Sequence, residues 1–119
     1  MWTYHSDTGK LEHNGWAAGF GYSGNGQGLN NPALESVPEV GPIPRGKWTM
    51  SRFFSDPVKG PIVCHLIPAA STDTFGRSGF MIHGDNSKET HSGSHGCVIL
   101  SCSQRAMIRM SGDILWIVA

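Results

Sequence analysis

The sequence predicts a mainly β domain, a β-sandwich or open barrel with one short helix near the C-terminus. Three observations predict it. Glycine makes up 16 of the 119 residues, about twice its usual share, and seven prolines accompany it. So much backbone punctuation favours short strands and tight turns over a helical bundle. Apolar residues fall in short, partly alternating runs bounded by Gly, Asn, Asp and Pro. Only the stretch after Ser101 joins a helix-capping residue to a helix-stopping glycine, Gly112. A chain of this length makes a single domain, 1–119, with room for one core.

The elements follow in order. Trp2 and Tyr4 alternate with polar neighbours, Asp7-Thr8-Gly9 is a turn, and 10–13 pairs back as a hairpin. Asn14-Gly15 marks the next turn, and 16–22 reads as one strand. The segment 23–32, rich in Gly and Asn, lacks apolar periodicity; inside so small a domain it reads as a loop lining a ligand cleft. Residues 37–46 hold Pro38, Pro42 and Pro44, which exclude a helix or central strand. That segment is expected to run along a sheet edge into a strand at 47–54. Further strands are expected at 62–67 and 79–83, and an apolar run at 98–100. A short helix capped by Ser101 or Ser103 should end near Met110, and 113–119 reads as a buried final strand. The sum is about eight strands and one helix.

Nine Lys and Arg balance nine Asp and Glu, so the chain carries no basic footprint for nucleic acid or an anionic membrane. A net charge near zero lends little solubility and suits a chain that works with a partner or a larger protein. No apolar run approaches the roughly 20 residues of a membrane-spanning helix. The first residues have neither the basic nor the apolar region of a secretory signal, so export, if it occurs, is expected to use another route.

Three cysteines, Cys64, Cys97 and Cys102, cannot all pair within one chain. Most free cysteines are small buried hydrophobes, and Cys64, inside an apolar strand, fits that description. Cys102 at a helix start also reads as structural, with a Cys64–Cys102 disulfide as an open alternative. Cys97 differs because it follows the polar, flexible Ser94-His95-Gly96 and precedes Val98-Ile99-Leu100. A thiol with its ordinary pKa of about 8.5 is mostly protonated at neutral pH and needs an imidazole beside it. His83 and His95 compete for that base role, with Asp85 or a carbonyl near Gly84 available to hold the His83 tautomer. The N–H groups of Gly96 and Cys97 are candidate oxyanion donors. A zinc site built from His83, Asp85, His91 and His95 is the rival, although no His-x-His or His-Glu-x-x-His spacing supports it.

At these residues the sequence resembles the L,D-transpeptidase catalytic domain, whose signature is a histidine followed after a gap by Ser/Thr-His-Gly-Cys. His83 matches the first histidine, and Ser94, His95, Gly96 and Cys97 match the block. Ten residues separate His83 from Ser94, a shorter gap than the family's usual one, and the Arg common soon after the family cysteine is absent. Asn31-Pro32, the segment Val40-Gly41-Pro42-Ile43-Pro44-Arg45-Gly46-Lys47-Trp48-Thr49, the segment Gly79-Phe80-Met81-Ile82-His83-Gly84-Asp85-Asn86 and the segment Gly96-Cys97-Val98-Ile99-Leu100-Ser101 together resemble the L,D-transpeptidase-like effector domain of bacterial type VI secretion systems. The Trp2-Thr3-Tyr4 start and the Ser111-Gly112-Asp113 ending fit as well.

The resemblance implies an antibacterial toxin. It would act on peptidoglycan tetrapeptide stems in a rival's periplasm as a cysteine L,D-carboxypeptidase or L,D-transpeptidase, without a cofactor. It would be delivered by a secretion apparatus and restrained by a cognate immunity protein. Cys97, His83, His95 and Gly96 would form the catalytic group, and Ser94, Asp85, Arg77 and Asn86 would meet the substrate. A housekeeping L,D-transpeptidase, a non-catalytic cell-wall-binding module and a zinc peptidase remain as alternatives.

Overall fold

The structure, a computed structural model, describes residues 1–85 and 94–119. Strands β1 (Trp2–His5) and β2 (Lys10–His13) form the expected hairpin, with Trp2, Tyr4 and Leu11 turned into the core. β3 (Trp16–Phe20) adds to β2 across Asn14-Gly15, both at positive φ (50° and 86°), as a tight turn matched to strand twist requires.

The expected strand at 16–22 breaks at Gly21. β4 (Tyr22–Ser23) does not extend β3; it pairs with β9 (Val98–Ile99) at the far end of the strand order β3-β2-β1-β10-β5-β7-β8-β9-β4. The two sheet edges are therefore neighbours in sequence, and the sheet curls into a nearly closed barrel. Gly21 makes the seam possible. Its N–H donates to Gly9 O at 2.7 Å, and a Cβ there would lie 2.1 Å from Ile99 O.

The proline segment corrects the sequence reading. Gly41 to Pro44 are buried rather than laid along an edge, and Ile43 belongs to the core. Prolines remove the donors a sheet needs, so Ile43 N–H turns instead to Ser23 Oγ at 2.9 Å. The strand expected at 47–54 divides into β5 (Gly46–Met50) and β6 (Phe54–Asp56), and β6 folds onto the long β7 (Gly60–Pro68). One extra residue in β7 makes a bulge that leaves Ile62 at φ 55°.

β8 (Met81–His83) joins β7 antiparallel and β9 parallel. The helix α1 (Cys102–Ser111) starts on a capping box between Ser101 and Gln104 and ends at Gly112, φ 63°. β10 (Leu115–Val118) enters the middle of the sheet between β1 and β5. Trp2, Tyr4, Trp48, Ile82, Ile108 and Ile117 lie at the centre of the core. The fold is thus mainly β, with one α-helix among the described residues. None of the described helices is long and apolar enough to cross a membrane.

All three thiols are free. Cys64 lies buried in β7, where burial pushes its pKa up to about 12, while Cys102 is exposed at the start of α1. No disulfide joins them.

Candidate active site

Parallel pairing of β8 with β9 sets Ile82 beside Val98 and His83 beside Ile99. Residues opposite one another share a face, and side chains alternate along each strand. Ile82 and Val98 therefore point to the core, and His83 shares the other face with Cys97, one diagonal step away. Both line one cleft of about 200 Å³ with Glu39, Lys59, Gly79 and His95.

His83 is only 3% exposed. Its Nδ1 lies 2.7 Å from Gly84 O, and a carbonyl can only accept, so Nδ1 carries the proton and donates. Nε2 is left bare, buried and without a hydrogen-bond partner among the described residues. Burial holds the imidazole below its ordinary pKa, against the bond to Gly84, which raises it; the charges of Lys59 and Arg105 lower it further. At neutral pH His83 is a neutral base, its acceptor nitrogen buried in a residue that lines the cleft.

Cys97 is half-buried, and its Sγ contacts Gly79 O at 3.8 Å. Burial pushes the thiol above its ordinary value, opposed by the Met81 N–H and by the Lys59 and Arg77 charges. The resting pair is a thiol and a neutral imidazole. Such a pair can perform acyl transfer by general-base catalysis, the proton leaving sulfur as it attacks. A preformed ion pair is not needed.

The turn that presents Cys97 is held by buried polar groups. Ser94, fully buried, donates from Oγ to Cys97 O at 2.7 Å and accepts from the N–H groups of Gly24 (3.0 Å) and Gly96 (3.1 Å). Ser23 Oγ reaches Gly96 O at 3.1 Å, and Asn25 Nδ2 donates to Ser94 O at 2.7 Å. Arg77 lies behind the turn, buried against the Phe80 ring with its Cζ 5.1 Å from the centroid. Its guanidinium donates to the carbonyls of Glu35, Pro42 (2.8 Å), Gly41 (3.0 Å) and His95 (3.2 Å). Gly96 is required twice over: its φ is 131°, and a Cβ would meet Arg77 Nη2 at 2.4 Å.

With this geometry in view, a family model described as the Tlde1 domain matches residues 18–113. The chain belongs to the Tlde1 domain family. No curated protein and no solved structure matches the chain. Membership makes this a type VI secretion effector domain. The matched segment contains all the described cleft residues of this Tlde1 domain, while β1, β2 and β10 lie outside it.

The sequence-expected residues of this Tlde1 domain separate by position. His83, Cys97 and His95 line the cleft together; the exposed His95 imidazole sits beside Glu39, Nδ1 to Oε2 at 3.6 Å. Arg77 and Ser94 do not meet the cleft as substrate contacts, because both are buried and bonded to the chain's own backbone. Their geometry is that of positioning residues. Gly96 N–H is engaged by Ser94 Oγ, so of the two expected oxyanion donors only Cys97 N–H stays outside that network among the described residues. Asp85 accepts from Tyr22 Oη at 2.5 Å and lines a separate depression with Gly84, Ser101 and Arg105. Asn86 and His91 lie outside the described residues. Among the described residues, no three His, Cys, Asp or Glu side chains converge as a metal ion would need.

Three residues of this Tlde1 domain escape the sequence reading. Lys59, at the β6–β7 turn, reaches the cleft across the bulge at Ile62. Glu39 arrives on the proline segment at φ 67°, its carbonyl held by Asn25 Nδ2 at 2.7 Å. Arg105 donates to the carbonyls of Leu100 (2.6 Å), Ile62 (2.9 Å) and Pro61 (3.3 Å), bracing the floor beneath Gly84. A short loop with Gly, Pro and charged residues was the only sequence signal for Glu39 and Lys59. Nothing local marks Arg105, since an arginine on a short helix reads as solvated.

The loop 23–32 also departs from expectation. None of the described cleft residues comes from it. Through Ser23, Gly24 and Asn25 it buttresses the Cys97 turn instead.

Proposed function

We propose that this domain is a cysteine L,D-carboxypeptidase or L,D-transpeptidase that acts on peptidoglycan tetrapeptide stems. The observation that carries the reading is the buried His83 with a protonated Nδ1 and an Nε2 that has no partner among the described residues, on the face it shares with Cys97. A binding module has no use for a buried imidazole whose acceptor nitrogen is left without a bond, since an unpaired buried polar atom costs about 1–3 kcal/mol.

In this reading Sγ attacks the carbonyl of the third stem residue, a diamino acid such as meso-diaminopimelate. The Sγ–C bond forms as the thiol proton passes to His83 Nε2, and Cys97 N–H stabilises the developing oxyanion. The C–N bond to the terminal D-alanine then breaks, and His83 returns the proton to the departing amine. The thioester is next taken by water, by a free D-amino acid or by the amine of a second stem, with His83 accepting the proton of the acceptor. Water gives trimming, a D-amino acid gives exchange, and a second stem gives a crosslink. Trimming and exchange both remove the tetrapeptides a rival wall needs.

As a type VI effector the enzyme would reach the periplasm of the target cell through the secretion apparatus, and a cognate immunity protein would protect the producer. The test is a digest of tetrapeptide muropeptides by wild type, Cys97→Ala and wild type with a chelator, followed for D-alanine. The expected result is release by wild type with or without chelator and none by Cys97→Ala. Release that survives Cys97→Ala and stops with chelator would establish a metallopeptidase instead.

A further inference from the structure

Two opposite charges stand at the mouth of the Cys97 cleft, and the mechanism above uses neither. Lys59 and Glu39 are both exposed. Their positions follow from the strands that carry them. Antiparallel pairing sets His65 opposite Met81 and Cys64 opposite Ile82. From there β7 runs back to Gly60 along the His83–Gly84 end of β8, which puts Lys59, just before Gly60, on the side of the base. Glu39 pairs with His95 and acts on Arg77 behind the turn, which puts it on the other side.

Each charge is also delivered by backbone that is costly to hold. Glu39 has φ 67°, where 11 glycines among the described residues also take a positive φ. A left-handed backbone is uncommon for Glu, and here the Asn25 Nδ2 bond to Glu39 O holds it at 2.7 Å. Lys59 hangs on the β6–β7 turn, whose bulge holds the β-branched Ile62 at φ 55°. Asp56 Oδ1 accepts the N–H groups of Val58 (2.8 Å) and Lys59 (2.9 Å), and Arg105 grips the carbonyls of Pro61 and Ile62. Both charges thus stand on backbone fixed by the chain's own hydrogen bonds, which holds them at the cleft mouth.

We propose that Lys59 and Glu39 are specificity residues that bracket a short zwitterionic peptide, Lys59 receiving the free α-carboxylate of the leaving residue and Glu39, with His95, the side-chain ammonium of the residue acylated on Cys97. This rests on the acyl-transfer reading and adds the direction of the substrate. His83 must protonate the leaving amine, so the leaving residue lies on the His83 side. Its α-carboxylate, one residue beyond the scissile bond, then falls beside Lys59. The acyl residue extends the opposite way, towards His95 and Glu39. The site therefore selects peptides that end one residue after the bond they lose, and whose acyl residue carries an amine.

The test uses four synthetic tetrapeptides, with the C-terminus as free acid or carboxamide and the side-chain amine of the third residue free or acetylated. Release of the C-terminal residue gives kcat/KM for wild type, Lys59→Met and Glu39→Gln. Wild type is expected to prefer acid over amide, and free amine over acetylated, by about two- to fivefold each, the size of an exposed charge pair. Lys59→Met should lose only the acid preference and Glu39→Gln only the amine preference. These ratios separate recognition from any effect of Lys59 on the Cys97 thiol, because that effect acts on all four peptides alike. Lys59→Arg should keep the acid preference, and matching melting curves would show both variants folded. Equal rates on all four peptides, or an acid preference that survives Lys59→Met, overturns the inference and leaves the acyl-transfer reading standing. No turnover and no adduct on Cys97 with any peptide overturns both.

Discussion

The wall built by β1, β2, β10 and β5 and the wall that carries β8, β9 and the Cys97 turn are held together by different forces. The first packs Trp2, Tyr4, Leu11, Trp48, Leu115 and Ile117, all nearly or fully buried, in strict alternation. Its stability is apolar burial, worth about 1.5–3 kcal/mol for each such large side chain. The second buries Ser23, Arg77, His83, Ser94, Gln104 and Arg105. There, side chains bond to backbone carbonyls and N–H groups, those of Ser23, Arg77 and Ser94 in the loops around the Cys97 turn and those of Gln104 and Arg105 largely along β3 and β7. The difference teaches why one half tolerates change in shape and the other does not. Apolar contacts are non-directional, whereas a buried donor or acceptor left unpaired loses its full desolvation energy.

The sharpest way to break this comparison is Arg77→Met against Ile117→Leu, two changes that roughly keep volume. Ile117→Leu should cost under about 1.5 kcal/mol in urea unfolding. Arg77→Met strands the carbonyls of Glu35, Gly41, Pro42 and His95 and should cost about 3–5 kcal/mol. Equal losses would show that the polar wall is no more demanding than the apolar one.

Ser94→Ala comes next. It leaves Gly24 N–H, Gly96 N–H and Cys97 O without their partner, for an expected loss of about 2–3 kcal/mol. Because the stranded groups belong to the nucleophile's own turn, kcat/KM should fall by roughly a hundredfold. A stability loss with unchanged kcat/KM would separate the turn from the chemistry.

The pH dependence follows in size. Burial lowers the His83 pKa in the folded chain, so the unfolded chain takes up the proton first, near the ordinary value of about 6.5. The stability tied to neutral His83 is therefore present above pH ~6.5 and is lost as pH falls through the lower folded value. Activity should fade on the same limb, as the base is protonated. Subtracting the urea stability curve of His83→Gln from that of wild type should isolate this limb; a flat difference below pH 6.5 would contradict it. The smallest effect is expected at Ser101→Ala, which removes a capping box for about 1 kcal/mol by the same unfolding measurement.

The same divide decides what can be read from the sequence. Alternation around Trp2 and Tyr4 and the Ser101 and Gly112 caps are local signals, and the hairpin, helix and central strands follow from them. The break at Gly21 is invisible because Trp16 to Tyr22 looks continuous; only the close approach of Ile99 O explains it. That His83 and Cys97 would share a cleft is legible from motif order, since two short apolar runs ending and starting at those residues can pair. Arg77 and Ser94 are legible as polar residues near the site but not as buried ones, because their partners are carbonyls and N–H groups far along the chain. Glu39 and Lys59 depend on strained backbone at Glu39 and Ile62, which composition does not reveal.

The central claim is that Cys97 is the nucleophile and His83 its base. The most direct measurement is mass spectrometry of rapidly quenched mixtures of the protein with a tetrapeptide stem, locating any acyl group on the chain. The account predicts a tripeptide acyl adduct on Cys97 of the wild type, formed as D-alanine is released, and none on Cys97→Ala or, on the same timescale, on His83→Phe. D-alanine release by Cys97→Ala, or an adduct that forms at wild-type speed in His83→Phe, would contradict it.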